Sequence, residues 1–185
     1  MNRSFRSAVV RAAAALAFVT VSGHAAGAQA KGAAAAFSVG YTDIGPTLGL
    51  GGINGASASF GGRFEHGFKA LPDFANGTLG IGVSADYYSF SSSVFSYKYI
   101  PVGVTANYHF KLDDPKIDPF IGAGLGYQII TCNVSGVSNI GCSNSAIYFI
   151  GHLGARYFIA PSMAAYADVG AGAATLNIGW MFKLH

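Results

Sequence analysis

The feature that most constrains this chain is an alternation of large apolar residues with small or polar residues, sustained over segments of about ten residues. Residues 78–90 show it on their two faces, Leu79, Ile81, Val83, Ala85 and Tyr87 against Gly80, Gly82, Ser84, Asp86 and Tyr88. Successive side chains of a β-strand point to opposite faces, so this period of two predicts a strand with one apolar face.

The same period recurs along the chain. It is present in residues 59–68, 98–110, 120–131, 147–159, 163–171 and 175–184. Together with residues 78–90, these segments predict seven strands. The chain is rich in glycine and aromatic residues, which weaken helices and favour strands respectively.

An eighth strand is expected within residues 37–52, where the alternation changes register. The apolar residues fall into two sets, Phe37, Val39 and Tyr41 in one register and Leu48 and Leu50 in the other. A bulge or break near Gly45-Pro46 would explain the change. Pro101 has no N–H to donate within its predicted strand, and we expect a bulge near the barrel rim to accommodate it.

The connections alternate in character along the chain. Polar, proline-bearing turns are predicted at 71–77, 112–118 and 160–162, and loops rich in Ser, Asn and Gly at 53–57, 91–96, 132–145 and 170–174. This order is typical of an antiparallel up-and-down meander with both termini on the side of the polar turns, which we expect to be periplasmic.

Residues 1–30 have the organisation of a secretory signal peptide. Arg3, Arg6 and Arg11 precede a short apolar core, and Ala28-Gln29-Ala30 forms a small-residue cleavage signal, so we expect cleavage after Ala30. A membrane-anchoring helix is the alternative, but that helix needs about 20 apolar residues. We therefore expect residues 31–185 to form the mature domain, exported to the outer membrane.

The composition favours a lipid-facing barrel over a water-soluble one. Charged residues make up 10% of the chain, against about 25% in soluble domains. A lipocalin-type barrel, the alternative, would turn its polar face to water, but here that face is mostly Gly, Ser, Thr and Asn. A closed barrel satisfies every backbone polar group in lipid. The predicted fold class is therefore all-β, a closed antiparallel up-and-down transmembrane β-barrel of about eight strands, which we expect to be a monomer.

Charged residues on the small and polar face would point into the lumen. They are Arg63, Glu65, Asp86, Arg156, Asp168 and Lys183. An eight-stranded barrel has room inside only for side chains, and buried charges there must pair. Three basic and three acidic groups predict a salt-bridged plug. A narrow pore or a conduit for a small hydrophobic ligand is the alternative.

An enzymatic role is not expected. His152 and Asp168 could form an acid–base pair in a lipid-modifying barrel enzyme, but no motif supplies a nucleophile beside them. The histidines lack paired metal spacing, so we expect neither a metal nor a cofactor. Without residues 1–11 the chain has 8 basic (11 − 3) and 8 acidic residues, and no basic patch points to nucleic acid.

The two cysteines, Cys132 and Cys142, both fall in the longest predicted loop. An exported chain meets an oxidising compartment, so a loop disulfide is expected, with free thiols or a metal site as alternatives. By the chain-entropy model, closing a loop of about ten residues contributes at most ~3 kcal/mol.

With its signal peptide and strand pattern, the chain resembles the small bacterial outer-membrane β-barrel superfamily, which includes OmpA-like transmembrane, OmpX-like and opacity-type proteins. The resemblance implies that the barrel-assembly machinery reads the last strand, whose outward residues are Ile178, Trp180, Phe182 and Leu184. Here Leu184 and His185 replace the terminal aromatic of that family. The implied partners are outer-membrane lipid, lipopolysaccharide and that machinery, and the implied role is structural or surface-interacting.

Overall fold

The computed structural model describes residues 37–52, 58–91, 95–134 and 145–184. Eight strands account for most of them. In chain order they are β1 (Thr42–Gly52), β2 (Ala58–Leu71), β3 (Gly77–Ser91), β4 (Phe95–His109), β5 (Ile117–Val134), β6 (Ala146–Ala160), β7 (Met163–Ala171) and β8 (Ala174–Lys183).

Each strand pairs antiparallel with the next, and β8 pairs with β1 to close the barrel. The predicted closed up-and-down β-barrel is therefore confirmed. Within the described ranges, no helix is both long and apolar enough to cross a membrane. The start of β1, the end of β8 and the connections 72–76, 110–116 and 161–162 lie at one end of the barrel, which we call the termini end. The opposite end, where β1 ends and β8 begins, is called the loop end.

The faces of the strands follow the sequence alternation. In β1, buried positions alternate with exposed ones from Asp43 to Leu50. The outward side chains are large and apolar, with Leu125 and Phe149 more than 60% exposed. A barrel that turned this surface to water would expose an apolar patch far larger than soluble monomers carry. The wall therefore presents a continuous apolar belt.

The expected break at Gly45-Pro46 is wrong. β1 runs through these residues with unshifted pairing to β2, Gly45 opposite Arg63 and Pro46 opposite Gly62. The register changes earlier, at Gly40, whose φ of 85° lies in the left-handed region that glycine adopts without strain. This turn sends the segment before β1 back into the barrel.

The bulge expected at Pro101 is also wrong. The β3–β4 pairing passes from Ala85↔Val102 to Tyr88↔Tyr99 in one constant register, so the missing N–H leaves a gap in the ladder and adds no residue. Pro101 itself is buried and faces the lumen. Register shifts occur instead between Gly67 and Lys69 and between Phe158 and Ala160, both near the termini end.

Two sequence predictions concern residues that lie outside the described ranges. The signal peptide spans residues 1–30, and the cysteine pair includes Cys142. Both stay predictions.

Candidate functional site in the barrel lumen

Arg156 of β6 lies at the centre of the lumen near the termini end and is fully buried. Its guanidinium forms ion pairs with carboxylates of three other strands. The Nε atom lies 3.0 Å from Asp43 of β1, Nη1 lies 3.1 Å from Asp118 of β5, and Nη2 contacts Glu65 of β2. One side chain thus ties four strands together across the barrel.

His109 of β4 lies between two of the same carboxylates. Its Nε2 is 2.8 Å from Glu65 Oε1, and its Nδ1 is 2.9 Å from Asp118 Oδ1. A neutral imidazole has one N–H, so its other nitrogen would turn a lone pair towards a carboxylate oxygen. Both ring nitrogens of His109 can make hydrogen bonds when the cluster of His109, Glu65 and Asp118 carries one more proton. That proton would be on the ring or on one of the two carboxyl groups.

Aromatic rings enclose this cluster. The Arg156 guanidinium lies over Phe37, Phe120 and Tyr166, at 5.1, 5.4 and 5.9 Å from the ring centroids. Arginine is attracted to the faces of such rings, and the attraction strengthens when water is excluded. Tyr41, just before β1, closes the same side. Burial raises the pKa of its hydroxyl well above the ordinary value, and nearby charges such as Asp43 add to the effect.

A second polar cluster lies closer to the loop end. Arg63 Nη1 lies 2.9 Å from Asp86 Oδ2, and its Nη2 donates to Asn177 Oδ1 at 3.0 Å. The Asn177 amide in turn donates to Asp168 Oδ1 at 2.8 Å, and the Tyr166 hydroxyl donates to the other oxygen of Asp168. This cluster joins β2, β3, β7 and β8.

Asn107 of β4 connects the two clusters. Its Nδ2 donates to Glu65 Oε1 at 2.8 Å, while its Oδ1 lies 3.0 Å from His152 Nε2. The other ring nitrogen of His152 is 3.5 Å from Asp168. A chain of polar contacts therefore runs along the lumen from Asp118 to Asp86.

A small polar cavity lies inside the barrel beside Arg63, Asp86 and Tyr148 and measures about 40 Å³. This volume suits about three water molecules and is far below the roughly 300–1,000 Å³ of pockets for drug-sized ligands. Asp86 Oδ1 and Tyr148 Oη are buried without a protein hydrogen bond, and water in this cavity would supply their partners.

The structure brings five of the six predicted lumen residues inside and separates the sixth. Arg63, Asp86 and Asp168 lie in the loop-end cluster, and Glu65 and Arg156 in the termini-end cluster. Lys183 does not lie in the lumen, although the sequence predicted that it would. It keeps the inward register, but it ends β8 at the rim, where its side chain is exposed and its ammonium lies 5.5 Å over the Tyr41 ring.

The prediction that three acidic and three basic residues balance each other in the lumen is wrong. Among the described residues, the lumen holds five buried carboxylates, one buried arginine and the partly exposed Arg63. The carboxylates are Asp43, Glu65, Asp86, Asp118 and Asp168. Sequence reasoning missed Asp43 because the Gly40 turn was placed five residues too late, and it missed Asp118 because that residue was assigned to a turn. It also left His109 out of the lumen set. The position of His109 on the polar face of its predicted strand could have indicated that it points into the lumen.

The outward residues of the last strand lie where the sequence placed them. Ile178, Trp180 and Phe182 are exposed on the outer face of β8, and Leu184 follows the strand. Their recognition by the barrel-assembly machinery stays a prediction. In the described part of the chain, no group of three or more His, Cys, Asp or Glu residues is arranged to hold a metal ion.

Comparison with known proteins places this fold. No family model matches the chain, and no curated protein matches it. Among solved structures, the chain is similar to Ail, the attachment invasion locus protein of Yersinia pestis, with 16% identity over 77% of this chain and 93% of that one, and a TM-score of 0.54.

Two further barrels superpose equally well. OprG from Pseudomonas aeruginosa is 13% identical over 80% of this chain and 97% of its own, with a TM-score of 0.55. Neisserial surface protein A is 16% identical over 78% and 97%, with a TM-score of 0.54. The chain therefore has the fold of the small eight-stranded outer-membrane β-barrel proteins.

Proposed function

We propose that this protein is an integral, non-enzymatic β-barrel of the outer membrane, with a sealed lumen and a structural or surface-interacting role. The apolar belt supports the membrane location, because outward side chains such as Leu125 and Phe149 are largely exposed and lipid is the medium that accepts such a surface. The signal peptide expected at residues 1–30 supports export.

The observation that carries the sealed lumen is the burial of Arg156. Its guanidinium contacts Asp43, Glu65 and Asp118, and none of these four side chains is more than slightly exposed. Removing one partner of such a buried pair costs about 3–5 kcal/mol, because the charge left behind has neither water nor a counter-ion. The cluster therefore resists the rearrangement that a continuous water path would need.

The segment before β1 adds a second closure at the termini end. Gly40 and Tyr41 are hydrogen-bonded to Gly67 of β2, at 2.8 Å in both cases, and these bonds anchor the segment across the mouth of the barrel. Phe37 is buried behind them. On the side facing the termini end, the arginine cluster and this segment close the 40 Å³ cavity that lies near the loop end.

The surface role belongs to the loop end. A sealed barrel offers its environment only its apolar wall and its two rims. β1, β3 and β5 end at the rim of the loop end, at Gly52, Ser91 and Val134, and this rim would face the cell exterior. Contacts with lipopolysaccharide or with other surface molecules would be made there.

A solute-retention experiment tests this proposal. The protein is refolded into phospholipid vesicles loaded with a small dye, and folding is checked by the heat-dependent shift in gel mobility. We expect the folded protein to retain the dye as well as empty vesicles do. Release through the folded protein would support the pore instead, and failure to insert into vesicles would refute the membrane barrel itself.

A further inference from the structure

The segment that precedes β1 fills the mouth of the barrel at the termini end. Its residues Phe37 and Tyr41 are buried, whereas Val39 between them is 53% exposed. The centroids of the two buried rings lie 5.1 Å apart. We call residues 37–41 the plug segment, because its rings lie inside the barrel and close this end.

The wall leaves a fitted seat for the Phe37 ring. A Cβ atom at Gly80 would lie 3.1 Å from Cζ of Phe37, and a Cβ atom at Gly67 would lie 2.1 Å from the carbonyl oxygen of Ser38. A side chain at either glycine would therefore push the plug segment outward. The imidazole of His109 forms the floor of the seat, since the Phe37 ring stacks on it.

The backbone of the plug segment is held more weakly than the strands are. Within the described ranges, one backbone hydrogen bond joins residues 37–40 to the wall, from the N–H of Gly40 to the carbonyl of Gly67 at 2.8 Å. Each strand, in contrast, is paired with a neighbour on both sides. The plug segment can therefore leave the mouth without opening the barrel, and what keeps it there is the seat of its rings.

Two groups that carry positive charge in acid lie under the Phe37 ring. The Arg156 guanidinium is 5.1 Å from the ring centroid, and its Nη1 atom is 3.4 Å from Nδ1 of His109. Two like charges at this distance are tolerated while anions contact them. The carboxylates that do so are Asp43, Glu65 and Asp118.

The other titratable groups around the plug segment do not offset a loss of these anions. Tyr41 and Tyr166 are uncharged at neutral and at acidic pH, and Lys183, over the Tyr41 ring, stays positive. Lys111 and Asp114 line a cavity of about 20 Å³ beside the seat. Lys111 also stays positive, and acid removes the negative charge of Asp114. Every group that changes its charge in acid therefore makes this end of the barrel more positive.

We propose that the plug segment is an acid-released closure of the termini end. At neutral pH the three carboxylates compensate the charge beneath the Phe37 ring, and the ring covers them. In acid the carboxylates are protonated, and Arg156 and His109 remain as adjacent positive charges that need water. Water reaches them through the mouth that the ring occupies, so the plug segment moves out while the eight strands stay paired. The proposal rests on the sealed lumen proposed above and adds a regulation to it.

A spin label on the plug segment reports this release. Val39 is exposed, so a nitroxide attached to Val39→Cys leaves the two buried rings undisturbed. The parent chain for labelling also carries Cys132→Ser and Cys142→Ser. It is refolded into vesicles, and the heat-dependent gel shift shows at each pH that the barrel is intact. We expect the label to tumble at least twofold faster at pH 4 than at pH 7, and to slow again when the pH is restored.

Substitutions in the parent chain test the charges. Glu65→Gln together with Asp118→Asn imitates the protonated carboxyl groups and should give a fast label at pH 7. Asp86→Asn makes the same kind of change in the loop-end cluster and should leave the label slow at pH 7. His109→Gln removes one of the two positive charges and should keep the label slow at pH 4.

Three results would overturn the acid release. The first is a label that stays slow at pH 4 in the folded parent chain, and the second is a label that His109→Gln does not slow at pH 4. The third is loss of the gel shift at pH 4, because the release requires an intact barrel. All three can occur in a protein that retains dye at pH 7. Dye release at pH 7 would instead refute the sealed lumen on which the proposal rests.

Discussion

The ring of Phe37 lies flat against the imidazole of His109, with the ring centroids 3.7 Å apart and the planes inclined by 13°. Phe37 precedes β1 by five residues, whereas His109 is the last residue of β4, so three strands separate them in the sequence. The contact shows that the segment before the barrel is part of its interior. It also brings an apolar cover directly onto the charged cluster around Arg156.

The first prediction concerns this contact between Phe37 and His109. Phe37→Ala should lower the free energy of unfolding by about 3–5 kcal/mol, the usual cost of truncating a buried phenylalanine, and should admit water to His109. The urea midpoint of the gel-mobility transition measures the change. Phe74→Ala is the control, since Phe74 is 66% exposed in the turn between β2 and β3, and it should shift the midpoint only slightly. Equal shifts of the urea midpoint in the two variants would show that Phe37 does not help to close the barrel.

A second prediction concerns Arg156. Among the described residues, Arg156 is the one cation that contacts Asp43, Glu65 and Asp118 together. Arg156→Met therefore deprives three buried carboxylates of their main partner. We expect a loss of about 3–5 kcal/mol at neutral pH. Because protonation neutralises those carboxylates, the gap between variant and wild type should narrow as the pH falls.

Arg63→Met is the control for this variant. Arg63 pairs with one carboxylate, Asp86, and its side chain is partly exposed to the cavity. Its loss should cost less and should show a weaker pH dependence. Urea unfolding at pH 7 and pH 4 measures both. A gap that widened towards low pH in Arg156→Met would contradict the charge account of the cluster.

A third prediction uses a glycine that the polar chain needs. A Cβ at Gly122 would come within 2.0 Å of Asn107 Oδ1 and 2.4 Å of His152 Nε2. Gly122→Ala should therefore separate these two side chains and cost about 1–3 kcal/mol, the cost of leaving buried polar groups unpaired. Gly62→Ala should be tolerated, because its nearest neighbour would be 3.6 Å away. Matching urea midpoints would refute the connecting role of Asn107.

The sequence predicted the barrel well because its main signal is local. Alternation in β3 assigned Asp86 to the lumen, and the structure buries that residue. The interior network is not local. Arg156 lies on β6 and Asp43 on β1, far apart in the sequence. A period of two does not show which inward residues meet across the lumen.

The errors have physical causes of the same kind. Gly40 reverses the chain through a left-handed conformation, and a change of register in the pattern does not state at which residue it occurs. Lys183 shares the inward register of Asn177, but the register alone does not state where the barrel wall ends. These two mistakes, together with the assignment of Asp118 to a turn, produced the wrong balance of charge in the lumen.

Single-channel recording of the refolded protein in a planar bilayer tests the central claim most directly. With folding shown by the gel shift, we expect no discrete openings in the wild type at neutral pH, since the Arg156 cluster and the Phe37 segment close the lumen. Discrete openings of the folded wild type, altered by neutralising Arg63 or Asp86, would contradict the sealed lumen and make those residues the lining of a pore.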